Sequence, residues 1–229
     1  MSRIRLFVFL ANSSALALVL AASRPCFAEE DPSATVQAQE PSESFHPRLV
    51  GDIRAVTLIH SSNNYFDHAS TFGYDLSNAA SGVGLTLGAE LLPRVSLLAE
   101  GFYVVTGADR SDAQLRLYSG AVLGVVRWSF LRWASRSDDV GIDLAASAGF
   151  GRYLMKETFV DPSLSPERFV HRDGSFGGLG SIEASVTFHA FRGAIGYAFH
   201  YAPATITDRI GGSVYAGGHE IYLGVGVCL

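Results

Sequence analysis

Nine ionisable residues share one side of a two-residue alternation: Asp52, Arg54, Glu90, Glu100, Arg116, Asp143, Glu183, His200 and Glu220. Most of them stand between apolar neighbours. Carboxylates, guanidiniums and an imidazole gathered on one face can form ion pairs and hydrogen bonds, and buried charges require such partners. Six carboxylates then face two arginines and one histidine, so Arg54 and Arg116 are the expected hubs. Other chemistry is not spelled out. The histidines are scattered without paired metal-ligand spacing. Gly177-Gly178-Leu179-Gly180 lies in a strand-like stretch with no helix after it, and so is not a phosphate loop. There is no Walker-type motif. Neither a metal nor a cofactor is expected.

The elements that must position this set are strands. In Gly82–Leu91, Val83, Leu85, Leu87, Ala89 and Leu91 fall on one face, with Gly82, Gly84, Thr86, Gly88 and Glu90 on the other. A helix of period 3.6 cannot use that alternation. The pattern recurs on Val95, Leu97, Ala99, Tyr103 and Val105, opposite Ser96 and Glu100. It returns on Leu115, Leu117, Ala121, Leu123 and Val125, opposite Arg116, Tyr118, Gly120 and Gly124. Three further runs centre on Ala146, Ala184 and Tyr197, and a last one covers Ile221, Leu223, Val225, Val227 and Leu229. A weaker first strand from Leu49 to His60 carries Asp52 and Arg54 and raises the count from seven to eight. In the fourth strand Trp128 falls on the polar side, which predicts a bulge or a strand end near Arg127. Links alternate in length. Those at 61–80, 107–112, 157–172 and 203–213 are long or moderate, those around Pro93 and Phe191-Arg192 are tight, and 131–138 is intermediate. Trp128, Phe130, Trp133, Phe188 and Phe191 gather at the turn side. Tyr103, Tyr153, Phe159, Phe176, Tyr201 and Tyr215 gather at the loop side. Amphipathic rings at two rims suit the headgroup depths of a bilayer.

The N-terminus supplies the route. Arg3 and Arg5 precede an apolar stretch from Leu6 to Ala22, and Arg24-Pro25-Cys26-Phe27-Ala28 leads into Glu29, Glu30 and Asp31. These are the three parts of a secretory signal, with cleavage expected after Ala28 and Ser23 as the alternative. Arginine and proline before Cys26 do not suit a lipidation site. Removing three signal arginines leaves 14 basic residues against 22 acidic ones, a net charge of −8, which argues against a nucleic-acid partner. Only Cys228 then remains, so no intramolecular disulfide is expected. No later stretch reaches the ~18 apolar residues of a helical span. Yet 48% of the chain is hydrophobic and 17% charged, with 24 glycines. A closed barrel in lipid accounts for such apolar surface. The expected organisation is a signal peptide at 1–28, a disordered periplasmic lead-in at 29–46 and a barrel at 47–229.

The last strand, from His219 to Leu229, resembles the C-terminal signature of outer-membrane β-barrels, which the barrel assembly machinery recognises. Tyr222, Val225, Val227 and Leu229 carry it, with leucine where that signature has an aromatic residue. The chain as a whole resembles the small barrels of the OmpA transmembrane-domain, OmpX and opacity-protein class over about Leu49–Leu229. That resemblance implies an all-β, eight-stranded, antiparallel, up-and-down transmembrane barrel. It would lie in the bacterial outer membrane as a monomer among outer-membrane lipid and lipopolysaccharide.

Eight strands leave a lumen that side chains fill, so a non-catalytic barrel of structural or surface-interaction type is expected. A narrow channel or an apolar-solute-binding barrel is an alternative. A second alternative rests on His60-Ser61-Ser62-Asn63, which resembles the His-x-Ser-Asn element of outer-membrane lipid A deacylases. That likeness would make Ser62 the nucleophile, His60 its base and Asp75 the orienting acid. The family's element lies near the C-terminal end, however, where this chain has His200-Tyr201-Ala202. Loops carry function on rigid scaffolds. Residues 61–80, with Tyr65, Phe66, Phe72 and Tyr74, and residues 157–172, with Phe169, are the expected contacts for a surface partner.

Overall fold

The computed structural model describes residues 48–110, 113–135, 140–162, 165–207 and 212–228. The expected signal peptide, the lead-in and Leu229 lie outside these residues. The elements are β1 (Arg48–Asn63), α1 (Tyr65–Thr71), β2 (Ala79–Leu92), β3 (Val95–Arg110), β4 (Ala113–Ala134), β5 (Val140–Asp161), β6 (Ser165–Phe188), β7 (Phe191–Tyr201), β8 (Thr205–Thr207) and β9 (Ser213–Cys228).

Each long strand pairs antiparallel with the next, and β9 pairs with both β7 and β1, from Val50↔Cys228 to Asn63↔Ser213. Eight strands therefore close into an up-and-down barrel, and closure leaves no open edge within it. The three-residue β8 adds to the start of β9 through Thr205↔Tyr215. Tight turns at Pro93-Arg94 and His189-Ala190 join β2 to β3 and β6 to β7. Arg94 (φ 69°) and His189 (φ 52°) supply the left-handed backbone that so short a link requires. The second of these turns lies just before Phe191-Arg192, which belong to β7.

Outward positions form an apolar belt. Leu85, Leu97, Val122, Phe150, Ile182, Ile195 and Leu223 each expose about half or more of their surface. Trp128, Phe130, Trp133, Phe188 and Phe191 rim the belt on the turn side, while Tyr103, Phe176 and Tyr201 rim it on the loop side. An apolar band between aromatic girdles, wrapped around a charged interior, is the surface of a barrel in lipid.

β4 corrects the expected assignment of faces. Leu115, Leu117, Leu123 and Val125 point into the lumen, whereas Arg116, Val122, Val126 and Trp128 point out. Arg116 is therefore no part of the interior, and its guanidinium pairs with Asp109 at 2.6 Å on the outer surface. The expected bulge falls two residues beyond Arg127, and the parity of Trp128 does not come from it. The β3–β4 ladder runs unbroken from Arg110↔Ala113 to Val95↔Trp128, and β4 shifts only between Ser129 and Leu131 against β5.

The loop side is more ordered than its polar composition implies. β5 and β6 continue to Asp161 and from Ser165, so most of 157–172 is a strand pair standing beyond the belt. The 61–80 link holds α1, whose Tyr65 and Ala69 are buried, and it is followed by the buried Tyr74 and Leu76. These side chains and Ile206 of β8 pack with Leu115, Leu117, Tyr153, Met155 and Val214 into one apolar cluster. Tyr153 is fully buried in it and Phe159 packs against it, so neither belongs to the outer girdle. Tyr65 and Tyr74 likewise face inward, which leaves Phe72 as the large exposed ring of that loop.

Candidate functional site

The lumen is filled in two layers. The layer nearer the turns is a charged network supplied by seven of the eight barrel strands. Strand alternation places Asp52 and Arg54 (β1), Glu90 (β2), Glu100 (β3), Arg127 and Arg132 (β4), Asp143 (β5), Glu183 (β6) and Arg192 (β7) at its level. Glu183 is its centre. Oε1 accepts from the Arg192 guanidinium and lies 3.0 Å from Arg127 Nη2. Oε2 accepts from the Tyr222 hydroxyl at 2.9 Å and lies 3.7 Å from Arg54 Nη2. Each arginine also has a second carboxylate. Arg192 donates to Asp52, Arg127 donates to Asp143 at 3.1 Å, and Arg54 makes a bidentate pair with Glu100 at 3.1 Å on both arms. At the turn end, Arg132 reaches Glu90 at 2.9 Å, and the backbone N–H of Arg94 donates to the same carboxylate at 2.8 Å. The Ser129 hydroxyl donates to Asp143 at 2.9 Å.

On the loop side of this layer the Tyr222 ring stacks against the Arg54 guanidinium, 4.3 Å from ring centroid to Cζ. It occupies the space that Gly196 leaves open, since a Cβ there would overlap the Tyr222 ring. Glu220 and His200 Nε2 are 2.9 Å apart, His200 Nδ1 and the Tyr153 hydroxyl 2.8 Å, and that hydroxyl lies 3.2 Å from the Gly178 carbonyl. Glu220, His200 and Tyr153 thus run from the charged layer into the apolar one. A cavity of about 10 Å³ beside Arg54, Glu100, His200, Glu220 and Tyr222 has room for about one water molecule.

Eight of the nine alternating ionisable residues lie inside the barrel, and Arg116 does not. Three further arginines share the interior: Arg127, Arg132 and Arg192. The six carboxylates accordingly meet four guanidiniums and an imidazole. The sequence signal for Arg127 was the parity of Trp128, which reads correctly once β4 is turned over. Arg192 was hidden because Phe191-Arg192 reads as a turn.

The proposed hydrolase constellation is not assembled. His60 is buried, with Nδ1 3.1 Å from the Tyr215 carbonyl and Nε2 3.4 Å from the Ser119 hydroxyl. Nδ1–H therefore donates to that carbonyl, which leaves Nε2 to accept from Ser119. Ser62 follows a register shift in the β1–β9 ladder and is exposed, as is Asp75, and neither is bonded to His60. Within the terminal signature, Tyr222 faces inward and Val225 faces out. Among the described residues no cluster of His, Cys, Asp and Glu could hold a metal ion.

No family model matches the chain, and no curated protein is similar to it by sequence. Solved structures are similar in fold. Ail, the attachment invasion locus protein of Yersinia pestis, superposes with a TM-score of 0.51 at 12% identity, covering 81% of this chain and 100% of that one. The outer membrane protein OprG of Pseudomonas aeruginosa gives 0.46 at 12% identity, over 80% of this chain and 95% of that chain. Neisserial surface protein A gives 0.42 at 12%, over 80% and 96%. A closed antiparallel ring, apolar outside and charged inside, defines an integral membrane β-barrel. By fold this protein is a small bacterial outer-membrane barrel.

Proposed function

We propose that this protein is a non-catalytic outer-membrane barrel whose plugged lumen makes it a rigid support, and that its β5–β6 wall and neighbouring loops meet partners outside the cell. The observation that carries this reading is the double filling of the lumen. Charged side chains from seven strands are cross-paired in one layer, and α1, Leu76 and Ile206 pack into an apolar layer above it. A hydrated path would have to part both. Burial of the His60 ring between Tyr215 and Ser119 leaves no exposed base beside Ser62, which supports the absence of hydrolysis. In this reading the chain is a monomer, held by outer-membrane lipid, that reaches the membrane through the barrel assembly machinery. Planar-bilayer recording of the refolded full chain tests the plug. The expected result is a bilayer without discrete ion-conducting steps. Steady single-channel steps from folded protein would overturn it.

A further inference from the structure

The outward face of β4–β6 changes character just beyond the lipid belt. On β5 the outward residues run Ile142, Leu144, Ala146, Ala148, Phe150 and then Arg152, Leu154, Lys156. From Ile142 to Arg152 is about ten residues, which at ~3.3 Å each and a tilt near 40° crosses roughly 25 Å. Arg152 therefore stands where the hydrocarbon ends on the loop side. Lys156 is two outward positions farther out, and its ladder partners on the two flanking strands are Tyr118 and Arg172.

We propose that Arg152, Lys156 and Arg172 form a binding site for the phosphate groups of the anionic glycolipid in the outer leaflet. The inference rests on the outer-membrane reading above. Three observations carry it. First, Lys156 and Arg172 are directly opposed like charges, an arrangement that destabilises a sheet unless something neutralises it. No carboxylate among the described residues forms an ion pair with either of them, although acidic residues outnumber basic ones in the chain, 22 to 17. The nearby acids are already engaged. Asp109 pairs with Arg116, and Asp173 accepts the backbone N–H groups of Thr205 at 2.6 Å and Gly174 at 2.7 Å. Second, aromatic rings fix the cations at interface depth. Arg152 Cζ lies 5.3 Å from the Phe176 centroid, and Lys156 Nζ lies 5.4 Å from that of Tyr118. Gly174, the ladder partner of Leu154, offers no side chain and so leaves room for the Arg152 guanidinium. Third, the exposed Phe150 is the outward residue of β5 just inside Arg152, at the edge of the lipid belt, and can meet the first methylenes of an acyl chain. A lipid offers phosphate and acyl chain together, whereas a soluble anion offers only the charge.

The full chain carrying Arg152→Gln, Lys156→Gln and Arg172→Gln tests the site against the unaltered chain. The comparison variant is Arg48→Gln with Arg94→Gln, at the opposite rim. Heat-modifiable electrophoretic mobility first establishes that each variant is folded in neutral-lipid vesicles, so that failure of the barrel reading shows separately from failure of the site. Binding of diphosphorylated lipid A, of the same glycolipid stripped of phosphate, and of soluble heparin is then measured. Each cation near an anionic lipid surface contributes about fivefold to binding, so the triple variant is expected to lose on the order of a hundredfold for the phosphorylated lipid alone. The opposite-rim variant is expected to bind as the unaltered chain does. Equal binding by the triple variant, equal binding of the dephosphorylated lipid, or tighter binding of heparin would each overturn the assignment.

Discussion

Glu183→Gln is the most informative single change in the lumen. The carboxylate sits among three guanidiniums and a hydroxyl: Arg192 and Arg127 on Oε1, Tyr222 and Arg54 on Oε2. Glutamine fills the same volume and keeps one acceptor oxygen, but it removes the negative charge from the centre. Breaking a buried ion pair from one side costs about 3–5 kcal/mol. The lower end applies here, because Arg192 keeps Asp52, Arg127 keeps Asp143 and Arg54 keeps Glu100. With an m-value of about 3 kcal/mol/M in guanidinium, a loss of about 3 kcal/mol lowers the unfolding midpoint by roughly 1 M. Arg132→Gln is the internal comparison. Its side chain is 33% exposed at the turn end, so its pair with Glu90 is worth at most about 1 kcal/mol. Guanidinium unfolding in lipid vesicles, followed by tryptophan emission, measures both. If Glu183→Gln shifted the midpoint no more than Arg132→Gln does, the network would not be what holds the charged layer together.

Other substitutions probe the remaining parts. Gly196→Val must displace the Tyr222 ring from its stack against Arg54 and should cost about 1–3 kcal/mol by overpacking. Gly180→Val, which opens onto empty space on the outer face, should stay within about 0.5 kcal/mol in the same unfolding assay. Ile182→Arg places a cation near the middle of the lipid belt, where the native side chain is 60% exposed. It should cost about 2–4 kcal/mol of folding into vesicles, and a gain in water solubility with folding intact would instead mean that this face meets water. Beyond the membrane, the backbone N–H of Thr205 and the charge of Arg152 help hold the Asp173 carboxyl below its ordinary range. A group with a lowered folded pKa stabilises above the unfolded value and loses that contribution as pH falls through the folded one. The protection factor of the Thr205 amide, its exchange taken relative to the intrinsic rate at each pH, should therefore fall as the medium is acidified below the ordinary aspartate range, and Asp173→Asn should show a lowered protection factor at neutral pH with little further change in acid.

Most of the fold is legible in the sequence because lipid outside and polar groups inside impose opposite demands on alternate residues. β2, β5, β6, β7 and β9 show this clearly. β4 does not, because its lumenal residues Leu115, Leu117, Leu123 and Val125 fill the apolar upper layer while Val122, Val126 and Trp128 face lipid. Hydrophobicity then marks both faces, and only the rim position of Trp128 fixes the parity. The glycines outside, Gly120 and Gly124, imitate a polar face. The β5–β6 extension looks like a loop because strands standing in water on one side carry loop-like composition. The site is legible in its acids and less so in its bases, since Arg127 and Arg192 stand at places that read as a slip and a turn. The Ser119 partner of His60 lies 59 residues away, and such a pairing follows from barrel closure rather than from any local motif.

The apolar face of this barrel meets lipid and its charged face fills the lumen. The two tryptophans of the chain, Trp128 and Trp133, both lie on the outer face, 55% and 53% exposed. Fluorescence of the refolded full chain in vesicles of brominated lipid reads their surroundings directly. Strong quenching by bromine on the acyl chains, with little effect of a water-soluble quencher, is the predicted result. Emission that ignores the brominated chains and is quenched from water, in a chain that remains folded, would mean that the apolar face does not meet lipid.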